Sequence, residues 1–134
     1  MANTLVSVVD DDQSVRESLA GLIRSVGLAV KVFPSAEEFL VSDHLQATNC
    51  LILDVRMPEL DGIGFLHVLR SYLRWQHLPV IFLTAYAEGP HIQEAAEMGA
   101  DTVFRKGDID FDQLLASVEE HLRGVAYPNT PWSV

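Results

Sequence analysis

Several classes of protein are excluded by what this sequence lacks. Cys50 is the only cysteine, so no disulfide can form within the chain, and a reducing cytosol is the simplest environment for it. No apolar run approaches the length that spans a membrane. The first residues contain neither the basic segment nor the cleavage site of a secretory signal. We therefore expect a cytoplasmic protein in which Cys50, set in an apolar run, is buried and unreactive.

Positive charge is scarce as well. The 134 residues include 9 Lys and Arg but 19 Asp and Glu, which gives a formal net charge of −10. Nucleic-acid binding relies on clustered Lys and Arg that contact phosphates, so we expect no direct binding of DNA or RNA by this chain. An acidic surface suits basic partners or a site that holds a cation.

Apolar residues are plentiful and recur as five short runs at fairly even intervals. Most runs are continuous and rich in Val, Ile and Leu, which is typical of strands buried on both faces of a parallel sheet. We predict strands at Leu5–Val9, Leu28–Phe33, Cys50–Leu53, Val80–Leu83 and Thr102–Phe104. Because the segments between them have helical periodicity, the sequence predicts an α/β fold with a doubly wound parallel sheet.

Five helices are predicted to alternate with these strands. The first has an apolar stripe that ends before Gly27, a residue suited to a helix C-terminus. The second opens at Ser35 with a capping box that Glu38 completes. The third begins near Gly62, and the fourth ends at Gly99. The expected inward-facing residues are Val15, Leu19, Leu22, Ile23 and Val26; Phe39 and Leu40; Leu66, Leu69 and Leu73; Ile92, Ala95 and Ala96; and Phe111, Leu114, Leu115, Val118 and Leu122.

One domain is predicted over residues 1–124, with an extended C-terminal tail or linker stump at 125–134. The end of the chain contains Pro128 and Pro131 and has no periodicity. The residues after Leu122 show no pattern of an effector domain, so we expect either a stand-alone domain or a segment of a longer chain. The absence of a new helical pattern favours the stand-alone interpretation.

Reactive polar residues follow four of the five predicted strands. They are Asp10, Asp11 and Asp12 after the first strand, Asp54 after the third, Thr84 after the fourth and Lys106 after the fifth. In an open parallel sheet, ligands bind beyond the carboxyl ends of the strands. We therefore expect these side chains to share one edge of the sheet.

The residue types at this edge indicate phosphoryl chemistry with a metal ion. Crowded carboxylates repel one another unless a cation or a proton relieves them. Oxygen ligands with no His or Cys nearby in sequence favour a hard ion such as Mg2+ over zinc. A bound cation would leave one oxygen of Asp54 free to attack phosphorus. Lys106 would then offset the phosphoryl charge, and the Thr84 hydroxyl would donate to a phosphoryl oxygen.

These motifs resemble the receiver domains of two-component response regulators, including those of the chemotaxis-regulator type. The matching residues are Val8–Asp12, Asp54–Gly62 with its Met57-Pro58 pair, Leu83–Ala85, Gly99-Ala100 and Lys106. The similarity extends from about Leu5 to Leu122, and its most specific part is Asp54–Gly62. The resemblance implies a flavodoxin-like (βα)5 fold whose five-stranded parallel sheet has the order 2-1-3-4-5.

The same resemblance implies a role for each matching residue. Asp54 would accept a phosphoryl group from the phosphohistidine of a sensor histidine kinase or a phosphotransfer protein. The implied Mg2+ ligands are Asp10, Asp11, Asp54 and the backbone carbonyl of Arg56, and the implied phosphoryl contacts are Thr84 and Lys106. Such a domain phosphorylates and dephosphorylates itself, but it is not an enzyme in the turnover sense. Phosphorylation would bias a face made by the fourth helix, fifth strand and fifth helix, which meets a downstream effector protein or a second copy of the chain.

Two positions depart from the family pattern. Gly107 follows Lys106, where receivers usually have a proline in cis. We predict a trans Lys106–Gly107 bond, because a cis bond before a residue other than proline costs about 2.5–4 kcal/mol. Val103 stands where many receivers place a Tyr or Phe that reports phosphorylation. Phe104 cannot replace that ring, because successive strand residues face opposite sides of the sheet.

Four positions near the site are expected to modulate it: Ala85, Tyr86, Val103 and Gly107. In the family, Arg56 and Tyr86 would flank the phosphoryl group. We hypothesise that their bulk slows self-dephosphorylation.

Other interpretations of these residues remain open. Asp12 is expected to be the N-cap of the first helix and not a metal ligand. The acidic run Asp10–Asp12 could be no more than a favourable helix N-terminus. One alternative function is a receiver-fold interaction module that no longer depends on phosphorylation. Another is an aspartate-nucleophile phosphatase, although Arg56 stands where such enzymes typically have a second Asp.

Overall fold

The computed structural model describes residues 4–42, 44, 46–54, 64–65, 67–68, 78–84, 102–105 and 110–126. Five parallel strands form one sheet in the order β2-β1-β3-β4-β5. The strands are β1 (Leu5–Val9), β2 (Ala29–Phe33), β3 (Cys50–Asp54), β4 (Val80–Thr84) and β5 (Thr102–Arg105). The described helices are α1 (Gln13–Ser25), α2 (Ala36–Leu40) and the C-terminal helix (Phe111–Ala126). The α/β class and the implied strand order are confirmed.

The register of the central strands places their carboxyl ends side by side. Val9 of β1 lies opposite Leu53 of β3, and Asp54 lies opposite Leu83 of β4. Every residue of β1 and β3 is buried, as their continuous apolar runs predicted. The edge strand β2 is different, because it exposes three of its five residues. The residues that follow β1 and end β3 therefore meet at one edge, inside the sheet and away from β2.

The core consists of two apolar clusters. One contains residues of α1 and the C-terminal helix packed on the sheet: Val6, Val8, Leu19, Ala20, Ile23, Val30, Cys50, Ile52, Ile81, Leu83, Leu114, Val118 and Leu122. The other contains α2 and Phe65: Val9, Phe33, Ala36, Phe39, Leu51, Leu53, Phe65, Leu78, Val80 and Phe82. Because strand residues alternate between the two sets, both faces of the sheet are covered, as in a doubly wound fold. Cys50 is buried, as expected.

Helix α1 has well-defined ends. Asp12 is its N-cap, and its side chain accepts hydrogen bonds from the amides of Ser14 and Val15. At the other end Gly27 has φ +87°, and its amide donates to the Arg24 carbonyl at 2.9 Å. The amide of Leu28 donates to the Ile23 carbonyl at 3.4 Å, which completes a Schellman motif. The predictions of Asp12 as N-cap and of Gly27 as the terminating glycine are confirmed.

Two residues expected on buried helix faces are exposed instead. Val26 is the C-cap of α1 and is 41% exposed. Phe111 is the first residue of the C-terminal helix and is 45% exposed. Both continue the apolar periodicity of their helices, but they stand at the helix ends, where less of the neighbouring structure is available to cover them. The interior residues Leu114 and Val118 are buried as predicted.

The short helix α2 begins as its sequence predicted. Ser35 is the N-cap, and its hydroxyl accepts from the amide of Glu38 at 3.1 Å. Phe39 is fully buried, with its ring centroid 5.1 Å from that of Phe33 and 5.9 Å from that of Phe65. This aromatic group fixes α2 against the sheet.

Several predictions can be compared with the structure only in part. Residues 64–65 and 67–68 are helical, in keeping with a third helix beginning near Gly62. The rest of that helix, the fourth predicted helix and residues 127–134 lie outside the described residues. The C-terminal helix continues to Ala126, two residues past the predicted boundary at 124, and the division into domain and tail stays a prediction. Among the described helices, none has the length and apolar character needed to cross a bilayer.

Candidate functional site

Three carboxylates meet at the edge where β1 and β3 end. Asp10 directly follows β1, and Asp54 is the last residue of β3. Together with Asp11, they place one carboxylate oxygen each within 4.8 Å of the others. Asp10 is 0% and Asp54 is 3% exposed, whereas Asp11 is exposed to solvent. The predicted convergence of these three residues is therefore present in the structure.

Three hydrogen bonds among the described residues involve the main chain and side chain of Asp10. Its amide donates to the Phe33 carbonyl of β2 at 3.1 Å, which extends the β1–β2 ladder by one residue. Its Oδ1 accepts from the amide of Asp12 at 2.9 Å. Its carbonyl accepts from Nη1 of Arg16 at 2.7 Å. These contacts come from β2, the β1–α1 turn and α1, so Asp10 is positioned by three different parts of the fold.

Asp12 does not belong to this carboxylate group. Its Oδ1 accepts from the amides of Ser14 at 2.9 Å and Val15 at 3.4 Å, two donors that a helix N-terminus leaves without intrahelical partners. The three consecutive acidic residues thus divide their tasks. Asp10 and Asp11 face the candidate site, and Asp12 caps the helix.

The donor set fits a hard divalent cation. Carboxylate oxygens are the ligands that Mg2+ and Ca2+ prefer, and the described cluster contains neither His nor Cys. Two of the three carboxylates are almost fully buried, so their mutual repulsion is poorly screened by water. A bound cation would relieve that repulsion. The residues present therefore fit the Mg2+ that the resemblance implies.

The other predicted site residues are described less completely. Thr84 is the last residue of β4 and lies opposite Arg105 of β5, so its backbone is at the same edge as Asp54. The remaining predictions concern Arg56, Ala85, Tyr86, Lys106 and Gly107, including the bond between the last two, and they lie outside the described residues.

Val103 and Phe104 lie on opposite faces of the sheet. Val103, opposite Phe82 in β4, is partly buried against the cluster that contains α2. Phe104 packs against the cluster that contains α1 and the C-terminal helix. The expectation that Val103 and Phe104 face opposite sides of the sheet is confirmed.

One residue beside the site was not singled out from the sequence. Arg16 lies in the first turn of α1 and reaches back to the Asp10 carbonyl. The sequence does contain a feature that could have drawn attention to Arg16, because a cation is disfavoured near the positive N-terminal end of a helix dipole. An arginine four residues after an N-cap aspartate, with three aspartates just before it, therefore suggests a task other than helix stabilisation.

The comparisons with known proteins agree with this geometry. The family model "Response regulator receiver domain" matches residues 6–119. The chain is 35% identical over 120 residues to the response regulator protein TodT of Pseudomonas putida, a match that covers 90% of this chain and 52% of that protein. It is 43% identical over 108 residues to the transcriptional regulatory protein TdiR of Thauera aromatica, covering 81% of this chain and 43% of that protein. The chain thus spans about half the length of these relatives.

Solved structures show the same fold. The crystal structure of FixJ-N is 31% identical, with a TM-score of 0.76, over 90% of this chain and 94% of that one. The response regulator StyR is 36% identical, with a TM-score of 0.79, over 92% of this chain and 61% of that one. The family model covers most of the chain. The carboxylates of Asp10, Asp11 and Asp54 converge at the edge of the sheet where the motif predicted them. The chain belongs to the response regulator receiver domains of two-component signalling.

Proposed function

We propose that this chain is a phosphoacceptor receiver that takes a phosphoryl group onto Asp54 and uses Mg2+ to do so. The observation that carries this proposal is the convergence of Asp10, Asp11 and Asp54 within 4.8 Å at the carboxyl ends of β1 and β3. The phosphoryl donor is the phosphohistidine of a sensor histidine kinase or a phosphotransfer protein. The chain is a signalling module, and its only chemistry is its own phosphorylation and dephosphorylation.

Each residue has a defined task in this scheme. A carboxylate oxygen of Asp54 attacks phosphorus, the phosphorus–nitrogen bond of the phosphohistidine breaks, and its electron pair stays on the imidazole nitrogen. Asp10, Asp11, Asp54 and, as the family resemblance implies, the carbonyl of Arg56 would hold Mg2+, which would offset negative charge on the phosphoryl oxygens. Thr84 and Lys106 contact those oxygens by hydrogen bond and by charge, as the family resemblance implies.

The burial of Asp54 supports the nucleophile role. Its neighbours Leu53 and Leu83 are fully buried, and Asp54 as a whole residue is 3% exposed. A nucleophile on a rigid strand end loses little conformational freedom when it reacts, so its geometry is prepared in advance. The limited exposure also reduces the approach of water, the reagent that would hydrolyse the acyl phosphate.

We further propose how the modification is read out. Phosphorylation changes the charge at the edge shared by β1, β3 and β4, and it biases the face of the fourth helix, β5 and the C-terminal helix between two states. A downstream effector, or a second copy of the chain, would bind that face. The effector is a proposal, since the chain spans only about half of the regulators that it resembles.

One alternative has support in the sequence. Val103 and Gly107 depart from the usual switching residues, which gives some support to an interaction module that does not require phosphorylation. The comparisons lend no support to a phosphatase, since the named relatives are regulators.

Phosphorylation by a small donor tests the proposal. The chain is incubated with Mg2+ and acetyl phosphate, and intact mass is measured. We expect a gain of one phosphoryl group that Asp54→Asn abolishes. The matched control is Asp110→Asn, because Asp110 is an exposed aspartate whose side chain caps a helix and asparagine caps equally well.

The switching part of the proposal is tested with beryllofluoride, a phosphoryl mimic. We expect changes in amide chemical shift at the ends of β3 and β4 that extend to β5 and the C-terminal helix.

In the experiment with acetyl phosphate, failure of the wild-type chain to gain a phosphoryl group would favour the interaction module. Phosphorylation of Asp54→Asn to the wild-type extent would show that the acceptor is another residue.

A further inference from the structure

We propose that Arg16 is a positioning residue that sets the relative direction of the Asp10 and Asp11 carboxylates and thereby the affinity for Mg2+. The inference rests on the proposed function, because it concerns the same cation site. Nη1 of Arg16 donates to the Asp10 carbonyl at 2.7 Å, a short distance for a charge-assisted bond to a main-chain oxygen.

The bonded carbonyl belongs to the peptide that links Asp10 to Asp11. Holding that oxygen restrains the orientation of the peptide plane, and so restrains ψ of Asp10 and φ of Asp11. Asp10 is also held through its amide and its Oδ1, but Asp11 is exposed and lies in the bend between β1 and α1. The bond from Arg16 is therefore the contact best placed to restrain Asp11.

The charge of Arg16 is unfavourably placed with respect to the dipole of its own helix. Asp12 is the N-cap of α1, so Arg16 is the fourth residue within the helix, and its amide donates to the Asp12 carbonyl at 3.0 Å. A positive side chain this close to the helix N-terminus opposes the helix dipole. The first turn contains no acidic residue to compensate it within the helix. Arg16 opposes the usual preference for negative charge at a helix N-terminus, and it contacts a residue of the candidate site. Such exceptions to local preference are expected at functional sites.

The bond from Arg16 is to the main-chain carbonyl of Asp10 and does not involve its carboxylate oxygens. A guanidinium that paired with those oxygens would compete with Mg2+, whereas one that binds the carbonyl restrains the ligand without occupying it. This arrangement resembles the outer groups around metal sites, whose removal typically lowers metal affinity about 10- to 100-fold.

Positioning and simple electrostatics predict opposite results for removal of Arg16. A guanidinium near the site repels a divalent cation, so its loss would tighten Mg2+ binding if charge were its only effect. If Arg16 orients the ligands, its loss weakens binding even though a repelling charge has been removed. Weaker Mg2+ binding after removal of Arg16 therefore indicates positioning, and tighter binding indicates a purely electrostatic effect.

The test measures Mg2+ affinity of the full chain by calorimetric titration, with amide chemical shifts of Asp11 and Asp12 as a second readout. We expect Arg16→Ala to weaken Mg2+ binding about tenfold. Arg16→Gln retains a donor without the charge, and Arg16→Lys retains the charge with a single donor group, so both should bind more tightly than Arg16→Ala. The matched control is Arg24→Ala at the other end of α1, which should stay within about twofold of the wild type.

The outcomes separate this inference from the proposed function. Wild-type protein that does not bind Mg2+ would overturn both. Wild-type binding with unchanged or tighter binding in Arg16→Ala would overturn only the role of Arg16. Should Arg16→Ala fail to fold, Arg16→Met removes every donor and keeps a long side chain. Weaker Mg2+ binding in that variant than in the wild type supports the inference, and unchanged or tighter binding overturns it.

Discussion

The hydroxyl of Ser7 lies 2.7 Å from the hydroxyl of Thr48 within the protein core. Thr48 uses its own proton to donate to the His44 carbonyl, so Ser7 must be the donor in this pair. The contact joins β1 to the segment that leads into β3. Asn49 strengthens the same junction, because its side-chain oxygen accepts from the Leu5 amide and its own amide donates to the Leu5 carbonyl. These bonds tie together the two strands that carry the candidate site.

The direction of the Ser7–Thr48 bond predicts unequal effects of removing either hydroxyl. Ser7→Ala leaves Thr48 bonded to His44 and should lower the free energy of unfolding by about 0.5–1.5 kcal/mol. Thr48→Val leaves the buried Ser7 hydroxyl without its acceptor and should cost more, about 1–3 kcal/mol. Urea denaturation of both variants checks this. A larger loss in Ser7→Ala than in Thr48→Val would show that the assignment of the donor is wrong.

Two glycines of the α1 region should respond in opposite directions to alanine. Gly27 has φ +87°, a conformation that alanine adopts only with strain, so Gly27→Ala should destabilise the protein by about 1–2 kcal/mol. Gly21 lies within α1, and an added Cβ would meet no atom within 4 Å apart from its chain neighbours and the backbone of its own helix, so Gly21→Ala should stabilise the protein by about 0.5–1 kcal/mol. Thermal unfolding monitored by circular dichroism measures both. Equal effects of the two substitutions would contradict the role of Gly27 in the Schellman motif.

Mg2+ should stabilise the folded chain through the carboxylate group. A ligand that binds only the folded state at 100 times its Kd adds about 2.7 kcal/mol to the free energy of unfolding. Asp11→Asn removes one proposed ligand and should reduce this gain. Asp12→Asn removes the same charge from the same turn but retains a good N-cap, so it should keep most of the Mg2+ response. If both variants lost the stabilisation by Mg2+ equally, the effect of Mg2+ would depend on the net charge of this turn and not on the arrangement of ligands.

Cys50 should react with thiol reagents only when the protein unfolds. It is fully buried in β3, within the cluster under α1 and the C-terminal helix. Since a thiol must reach solvent as thiolate to react, labelling by a disulfide reagent such as DTNB should be negligible in the native state and complete in denaturant. Rapid labelling of the native chain would mean that β3 is transiently accessible.

The sequence predicted the strands well because they are marked by local composition. All five predicted runs coincide with observed strands to within one residue at either end, as continuous Val, Ile and Leu segments leave few other options. The strand order came from the family resemblance and not from the pattern, since apolar runs do not reveal which strands pair. Helix ends were less predictable. The periodicity that correctly placed Ile23 and Val118 in the core also included Val26 and Phe111, which are exposed.

For the candidate site too, some features were predictable from local sequence and others depended on tertiary packing. The identities of Asp10, Asp11 and Asp54 and their positions after apolar runs are local facts, and residue type alone indicated an oxygen-rich cation site. Their approach to within 4.8 Å depends on the pairing of Val9 with Leu53, a long-range contact that strand packing establishes. The bond from Arg16 to the Asp10 carbonyl depends further on how the chain turns from β1 into α1. Composition and periodicity are properties of neighbours along the chain, whereas distances between ligands arise when separate segments pack around a common core.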